Sequence, residues 1–591
     1  MAHTFLLSAT MNHPSSKYLF FTFNKLIAFC YIVYLFFSST LSALPILQPP
    51  KQVPPQPAFD LMLVGGGIKT CSSMSPENCK INTAFSPTAK RDIRYDFSPL
   101  WLERALAHPS LEMLTQAQQT NLRNASLAAE KYPALIPLNE LKQKIGKFDP
   151  ALLNSLDDKT YFALLDLLEG QQQADGSSKQ EQVILDASRS SQTIELYRVF
   201  VQQALKKRQQ RQPTAQRPLI AIVTASARDP FESAHFYLSV FEQAGAEVIW
   251  LPIDAALQKG IATGECKMLP LFRQQLQGNI DKQRLYPAKT QRQHDYCDNP
   301  NTLYKFLEQM DGLFLNGGDQ SLTLKAWLTP EGQPSDALTL VKKRFAQQQI
   351  VIGGTSAGTA VMTQHNMITG GTSEGALTFG TYAAKAPSER CELNNCDGAI
   401  PATAVTYRPE GGLGFFPFGI LDTHFTERDR QLRLLILAAN TGTEMAFGID
   451  ENTALLVDTK SQKFTVSGQH GVWVIEQVKQ KTAHSFHTQI NAISHYLTKG
   501  SVLTMNKEGN KIAELTIRKT AEAATSNSPQ VTKPVVNNFT QWVKSACLDE
   551  EQNQVMVNKA RLTLKPMLDD SCQLAQGAVG YQSINLVLEI Q

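Results

Sequence analysis

Six small residues, Gly353-Gly354-Thr355-Ser356-Ala357-Gly358, separate the apolar run Ile350-Val351-Ile352 from Thr359-Ala360-Val361-Met362. This pattern predicts a strand, a tight turn and the start of a helix, with Ser356 held out of the backbone on a nucleophile elbow. Small neighbours let a substrate carbonyl approach. The positive helix end and the amide of Ala357 suit a developing oxyanion. Gly-Ser turns also occur in phosphate-binding and purely structural loops, so the reading depends on partners elsewhere in the chain.

The rest of the sequence sets the frame for those partners. At 591 residues the chain has room for several domains. A formal net charge of +3 gives no reason to expect nucleic acid. Lys17 and Lys25 precede the apolar run Leu26 to Phe37, and small residues follow from Ser38 to Ala43. That order predicts a secretory signal over 1–43, cleaved near Ser42 or Ala43, and a secreted or periplasmic protein free of the membrane after cleavage. The run is short for a membrane span, and an uncleaved anchor is the alternative. Cys30 would leave with the signal. The remaining cysteines, Cys71, Cys79, Cys266, Cys297, Cys391, Cys396, Cys547 and Cys572, are even in number and suit disulfides in an exported chain. The simplest connectivity is local: Cys71–Cys79, Cys266–Cys297, Cys391–Cys396 and Cys547–Cys572. None has zinc-site spacing, so neither a metal nor another cofactor is expected.

The chain divides by pattern. Residues 44–58 read as a proline-rich linker, and 59–79 as the first strand of the catalytic domain, Leu61-Met62-Leu63-Val64, running into Gly65-Gly66-Gly67. Residues 80–216 read as a helical insertion. Residues 217–507 alternate strands and helices and then become β-rich. Residues 508–534 read as a linker and 535–591 as a tail module. The expected fold is α/β: a doubly wound, mostly parallel sheet with a nucleophile elbow, a helical insertion near the N-terminus and a β-rich C-terminal part. Sites on such sheets lie at the C-terminal strand ends, where Asn316-Gly317-Gly318-Asp319-Gln320 and the Ser356 turn both fall.

Downstream, Leu421-Asp422-Thr423-His424-Phe425 follows an apolar strand and leads into Arg428, Arg430 and Arg433. A histidine at a strand end can act as a general base. Clustered arginines suit carboxylate recognition, or else surface pairs with Glu427 and Asp429.

Taken in order, these pieces, together with Gly448-Ile449-Asp450-Glu451-Asn452-Thr453-Ala454, resemble the cyanophycinase family of serine peptidases, which also contains peptidase E. The resemblance covers about 60–70 and 217–505. Residues 80–210, 508–591 and Asn394 to Gly411 lie outside it. It implies a Ser-His-Glu triad of Ser356, His424 and Glu374, with the amides of Ala357 and Gly318 as oxyanion donors. It further implies a substrate pocket of Gln320, Asp422, Thr423, Arg428, Arg430 and Arg433. Family members commonly carry glutamine at the Thr423 position. The activity implied is cleavage of cyanophycin, multi-arginyl-polyaspartate, into β-aspartyl-arginine dipeptides. Alternatives are a related aspartyl or isoaspartyl peptidase, and a non-catalytic polymer-binding protein. A homodimer is compatible with either enzyme.

Overall fold

The computed structural model describes residues 57–129, 135–170, 178–388, 400–483 and 487–517, with shorter stretches between 539 and 590. The expected signal over 1–43 and most of the proline-rich linker lie outside the described residues. So do Cys391, Cys396 and Cys547, and the side chain of Cys572.

The centre is a nine-stranded sheet. Its order is Ile512–Thr516, Val502–Met505, Lys463–Gly468, Thr453–Asp458, Leu61–Val64, Val351–Thr355, Gly312–Leu315, Leu219–Val223 and Glu247–Trp250. From Leu61–Val64 onward the neighbours run parallel. On the other side the pairings are antiparallel. The parallel strands are near-continuous apolar runs, as strands covered on both faces must be. Alternation decides which core each side chain joins: Leu61 and Leu63 pack on one face, Met62 and Val64 on the other. Helices flank the parallel half. Asp229 caps Pro230–Gln243 by accepting from the amides of Phe231 and Glu232. Asp254 caps Ala255–Thr263, and left-handed Gly264 ends it.

A second sheet begins with the parallel pair Ile420–Thr423 and Ala446–Ile449. It continues antiparallel through Gly471–Ala483, His487–Thr498, Ala578–Ile590, Ala560–Pro566 and Gln554–Val557. The strand expected to present His424 therefore belongs to this sheet and not to the doubly wound one. Two expected boundaries also change. Residues 512–516 of the presumed linker pair with Val502–Met505. Among the described residues of the expected tail module, Leu586 and Leu588 share a cluster with Trp473 and Ile490. Short strands there gain stability only by completing a larger sheet.

The helical region has its own apolar cluster, including Leu102, Leu122, Leu141, Leu164 and Leu168. Its last helix, Ser191–Arg211, instead lies on the central sheet, with Phe200 edge-on to Phe314. The helical cluster is tied to the doubly wound part of the chain by buried Lys282, which meets Asp166 at 3.0 Å, Glu169 at 3.1 Å and Asp229 at 2.9 Å. Cys71–Cys79 and Cys266–Cys297 are bonded as expected.

Candidate active site

Ser356 follows directly on the strand Val351–Thr355 with φ 53° and ψ −116°. A non-glycine residue held there is strained, as a nucleophile elbow requires. The sequence permits the turn because Gly354 has no side chain: a Cβ there would lie 2.2 Å from the Gly358 carbonyl oxygen. The Ser356 amide donates to Val64 O at 3.0 Å, anchoring the elbow to the central strand.

His424 arrives from the second sheet, also at positive φ, 46°. Its amide donates to Gly65 O at 2.7 Å. Its ring lies against Gly66, where a Cβ would stand 2.4 Å from Nε2. The glycine run after the first strand is thus the bed of the imidazole. Ser356 Oγ lies 2.7 Å from His424 Nε2, and His424 Nδ1 lies 2.7 Å from Glu451 Oε1. With Nδ1–H donating to the carboxylate, Nε2 is left free to accept the serine proton. Burial lowers the His424 pKa below its ordinary value. The Glu451 hydrogen bond opposes that shift, and the charges of Arg428 and Arg430 reinforce it. The ring is therefore neutral at neutral pH, as a general base must be.

The acid is not the expected one. Glu374 sits exposed in the first turn of helix Ser373–Phe379, which Thr372 caps. An acidic residue there complements the helix N-terminus. The carboxylate that reaches His424 is Glu451, two residues beyond the strand Ala446–Ile449. The motif around it was visible in the sequence, but its acidic pair carried no assigned role. Spacing in the chain could not decide between the two glutamates; only the pairing of Ile420–Thr423 with Ala446–Ile449 brings 424 and 451 together. Asp450 supports this corner. It accepts from the Thr426 amide at 2.9 Å, the Gly471 amide at 3.3 Å and the Tyr496 hydroxyl at 2.5 Å.

Ala357 adjoins the nucleophile in sequence. The Gly317-Gly318 turn adjoins it in space, since a Cβ at Gly317 would stand 3.2 Å from Ser356 Cβ. Ala357 and the turn that carries the second expected donor therefore both adjoin Ser356.

The expected pocket residues divide by role. Arg433 is buried, and it grips Asp422 with two bonds of 2.8 and 2.6 Å and also donates to Gly371 O at 2.5 Å. It is a structural clamp and not a free carboxylate receptor. Burial pushes the Asp422 carboxyl up, but the charges of Arg433 and Arg430 overcome this and hold it below its ordinary value. Arg430 donates to Thr423 O at 2.6 Å and more loosely to Asp422, at 3.3 Å. Burial, then repulsion from Arg433, pushes Arg430 down to about 9. It stays cationic at neutral pH but is short of counter-charge. Thr423 is buried, with its carbonyl used by Arg430. Gln320 donates to Ile368 O at 2.7 Å. Arg428 is exposed at the end of the turn Thr426–Arg428, close enough to act electrostatically on His424. Among the described residues no cluster of potential metal ligands occurs.

The site is a hydrogen-bonded serine–histidine–glutamate relay on an α/β sheet, beside a cationic pocket. The model of peptidase family S51 matches residues 288–465. Among the chain's relatives, a cyanophycinase from Geminocystis herdmanii is 27% identical over 267 residues, spanning 45% of this chain and 72% of the relative. A cyanophycinase from Trichormus variabilis is 24% identical over 286 residues, spanning 48% and 83%. A crystal structure of a peptidase from an acI-B1 Actinobacterium overlays 53% of this chain and 92% of its own, at 15% identity and a TM-score of 0.29. So loose an overlay carries no weight for fold or function.

Proposed function

We propose that the protein is a serine exopeptidase that hydrolyses cyanophycin to β-aspartyl-arginine dipeptides through an acyl-enzyme. The observation that carries the chemistry is the continuous relay from Ser356 through His424 to Glu451, with both links at 2.7 Å. His424 takes the Ser356 proton as Oγ attacks the scissile carbonyl. The amides of Ala357 and Gly318 receive the oxyanion. His424 then passes the proton to the leaving amine. Water, activated by the same ring, attacks the acyl-enzyme and frees the dipeptide.

The substrate reading draws on the cationic pocket. Asp422 offsets one of the two guanidiniums packed on it, leaving one positive charge there, and Arg428 adds a second at the rim. That excess suits a substrate carboxylate. The relatives named cyanophycinase support the same reading. A second reading, an aspartyl peptidase of the same family acting on short peptides, is favoured by Thr423. A buried threonine has no amide to offer a long substrate. The relay argues against a purely binding role.

The test is release of β-aspartyl-arginine from insoluble cyanophycin, followed by mass spectrometry. Wild type should release the dipeptide, and Ser356→Ala should not while melting like wild type. Loss of the nucleophile costs several orders of magnitude in rate. Cleavage of short aspartyl peptides but not of the polymer would select the second reading. Undiminished turnover by Ser356→Ala would overturn both.

A further inference from the structure

A cleft of about 920 Å³ is lined by none of the relay residues. The Gly317-Gly318 turn that flanks Ser356 leads straight into helix Gln320–Trp327, whose Leu324 and Lys325 form one wall. Gln320 bonds to Ile368 O, and the residue on either side of Ile368 lines the cleft, Met367 among them. The cleft therefore begins directly behind an expected substrate residue. Its far side comes from Lys385 and Tyr407, within the stretch between the elbow and His424, part of which departs from the family pattern.

The floor is apolar and the rim is cationic. Lys259, Lys325, Lys385 and Arg408 face a single acid, Glu410, for a net +3 (four minus one). Glu410 is already paired with Arg408 at 3.5 Å. Among the described residues Lys325 and Lys385 are exposed and have no ion-pair partner. A concave apolar surface with a few convergent charges of one sign is the usual form of a ligand site. The ligand it fits is an extended chain with methylene groups for the floor and carboxylates for the rim.

We propose that this cleft is a second subsite, which holds the carboxylate-bearing body of an aspartyl peptide chain while its terminal unit is cut at Ser356. The proposal rests on the peptidase reading above and adds the means by which a long substrate is retained between cuts. Simultaneous engagement of two sites raises the hold on a polymer without improving contacts at the scissile bond.

The test is binding of fluorescent aspartyl-arginine oligomers to full-length Ser356→Ala protein, measured by anisotropy with a dimeric and a long oligomer. The companion variant adds Lys325→Glu and Lys385→Glu. The Kd for the long oligomer should rise about tenfold, about 1.4 kcal/mol, and the Kd for the dimer should not change. Equal effects on the two lengths, or none on either, would overturn the subsite. Failure of the peptidase reading has a different signature: length-dependent binding is present, yet the wild-type protein releases no dipeptide.

Discussion

Replacing Glu451 by glutamine separates the structure from the sequence pattern more sharply than any other substitution. The Glu451 carboxylate accepts from His424 Nδ1 at 2.7 Å, so it fixes the tautomer and stabilises the imidazolium formed during attack. In a serine protease triad the equivalent acid-to-amide change costs about 10⁴ in kcat. The Glu451 side chain is 24% exposed, so water screens part of the charge. A loss of about 10²–10⁴ in kcat/KM, roughly 3–5 kcal/mol, is therefore expected. The control is Glu374→Gln, whose carboxylate is exposed at a helix start and should leave kcat/KM within about twofold of wild type. The assay is dipeptide release under steady-state conditions, with thermal melts to show that both variants fold. A second readout comes from pH. Glu451 raises the His424 pKa, so the residual activity of Glu451→Gln should persist to lower pH than that of wild type. A severe loss in Glu374→Gln with near-wild-type kinetics in Glu451→Gln would refute the assignment.

Three further outcomes are expected. The acid limb of kcat/KM for wild type should have its midpoint below pH 6.5, because burial lowers the His424 pKa and keeps the base neutral as pH falls; a midpoint near pH 7 would contradict the buried relay. Arg433→Ala should unfold at lower denaturant by about 3–5 kcal/mol, since it strips Asp422 of its buried fork, whereas Arg428→Ala should melt like wild type and act only on kinetics; equal stability of the two variants would remove Arg433 from the clamp role. Intact mass of protein from the native host should show a mature N-terminus near Ala43 and oxidised Cys71–Cys79 and Cys266–Cys297; an unprocessed chain with free thiols would place the protein in a reducing compartment.

Local chemistry was legible in the sequence, and long-range pairing was not. The elbow is written in consecutive residues, Gly353 to Gly358, because a sharp turn needs small side chains where it happens. His424 could be picked out because a polar residue ended an apolar strand. Glu374 and Glu451 both stand near turns with suitable neighbours, and no local signal ranks them. The choice is made by sheet pairing, which one sequence does not display. Arg433 likewise looked like a receptor because arginines near a site often are; its helix buries it against Asp422, and burial cannot be read from identity alone. The place of the C-terminal strands is hidden for a related reason: Ala578–Ile590 pairs with His487–Thr498, far back in the chain, and nothing local announces that partner.

The position of Leu61–Val64 bears on when this chain can become a peptidase. An early strand occupies the middle of the sheet, paired with Val351–Thr355 on one side and Thr453–Asp458 on the other. Val64 O receives the Thr359 hydroxyl across 295 residues of chain, and the glycines just beyond it seat the imidazole. Such distant partners meet slowly, because loop closure must precede any reward from contact. A growing or half-folded chain therefore holds Ser356 with no base beside it. The Ser356–His424 contact arrives only with the closed sheet.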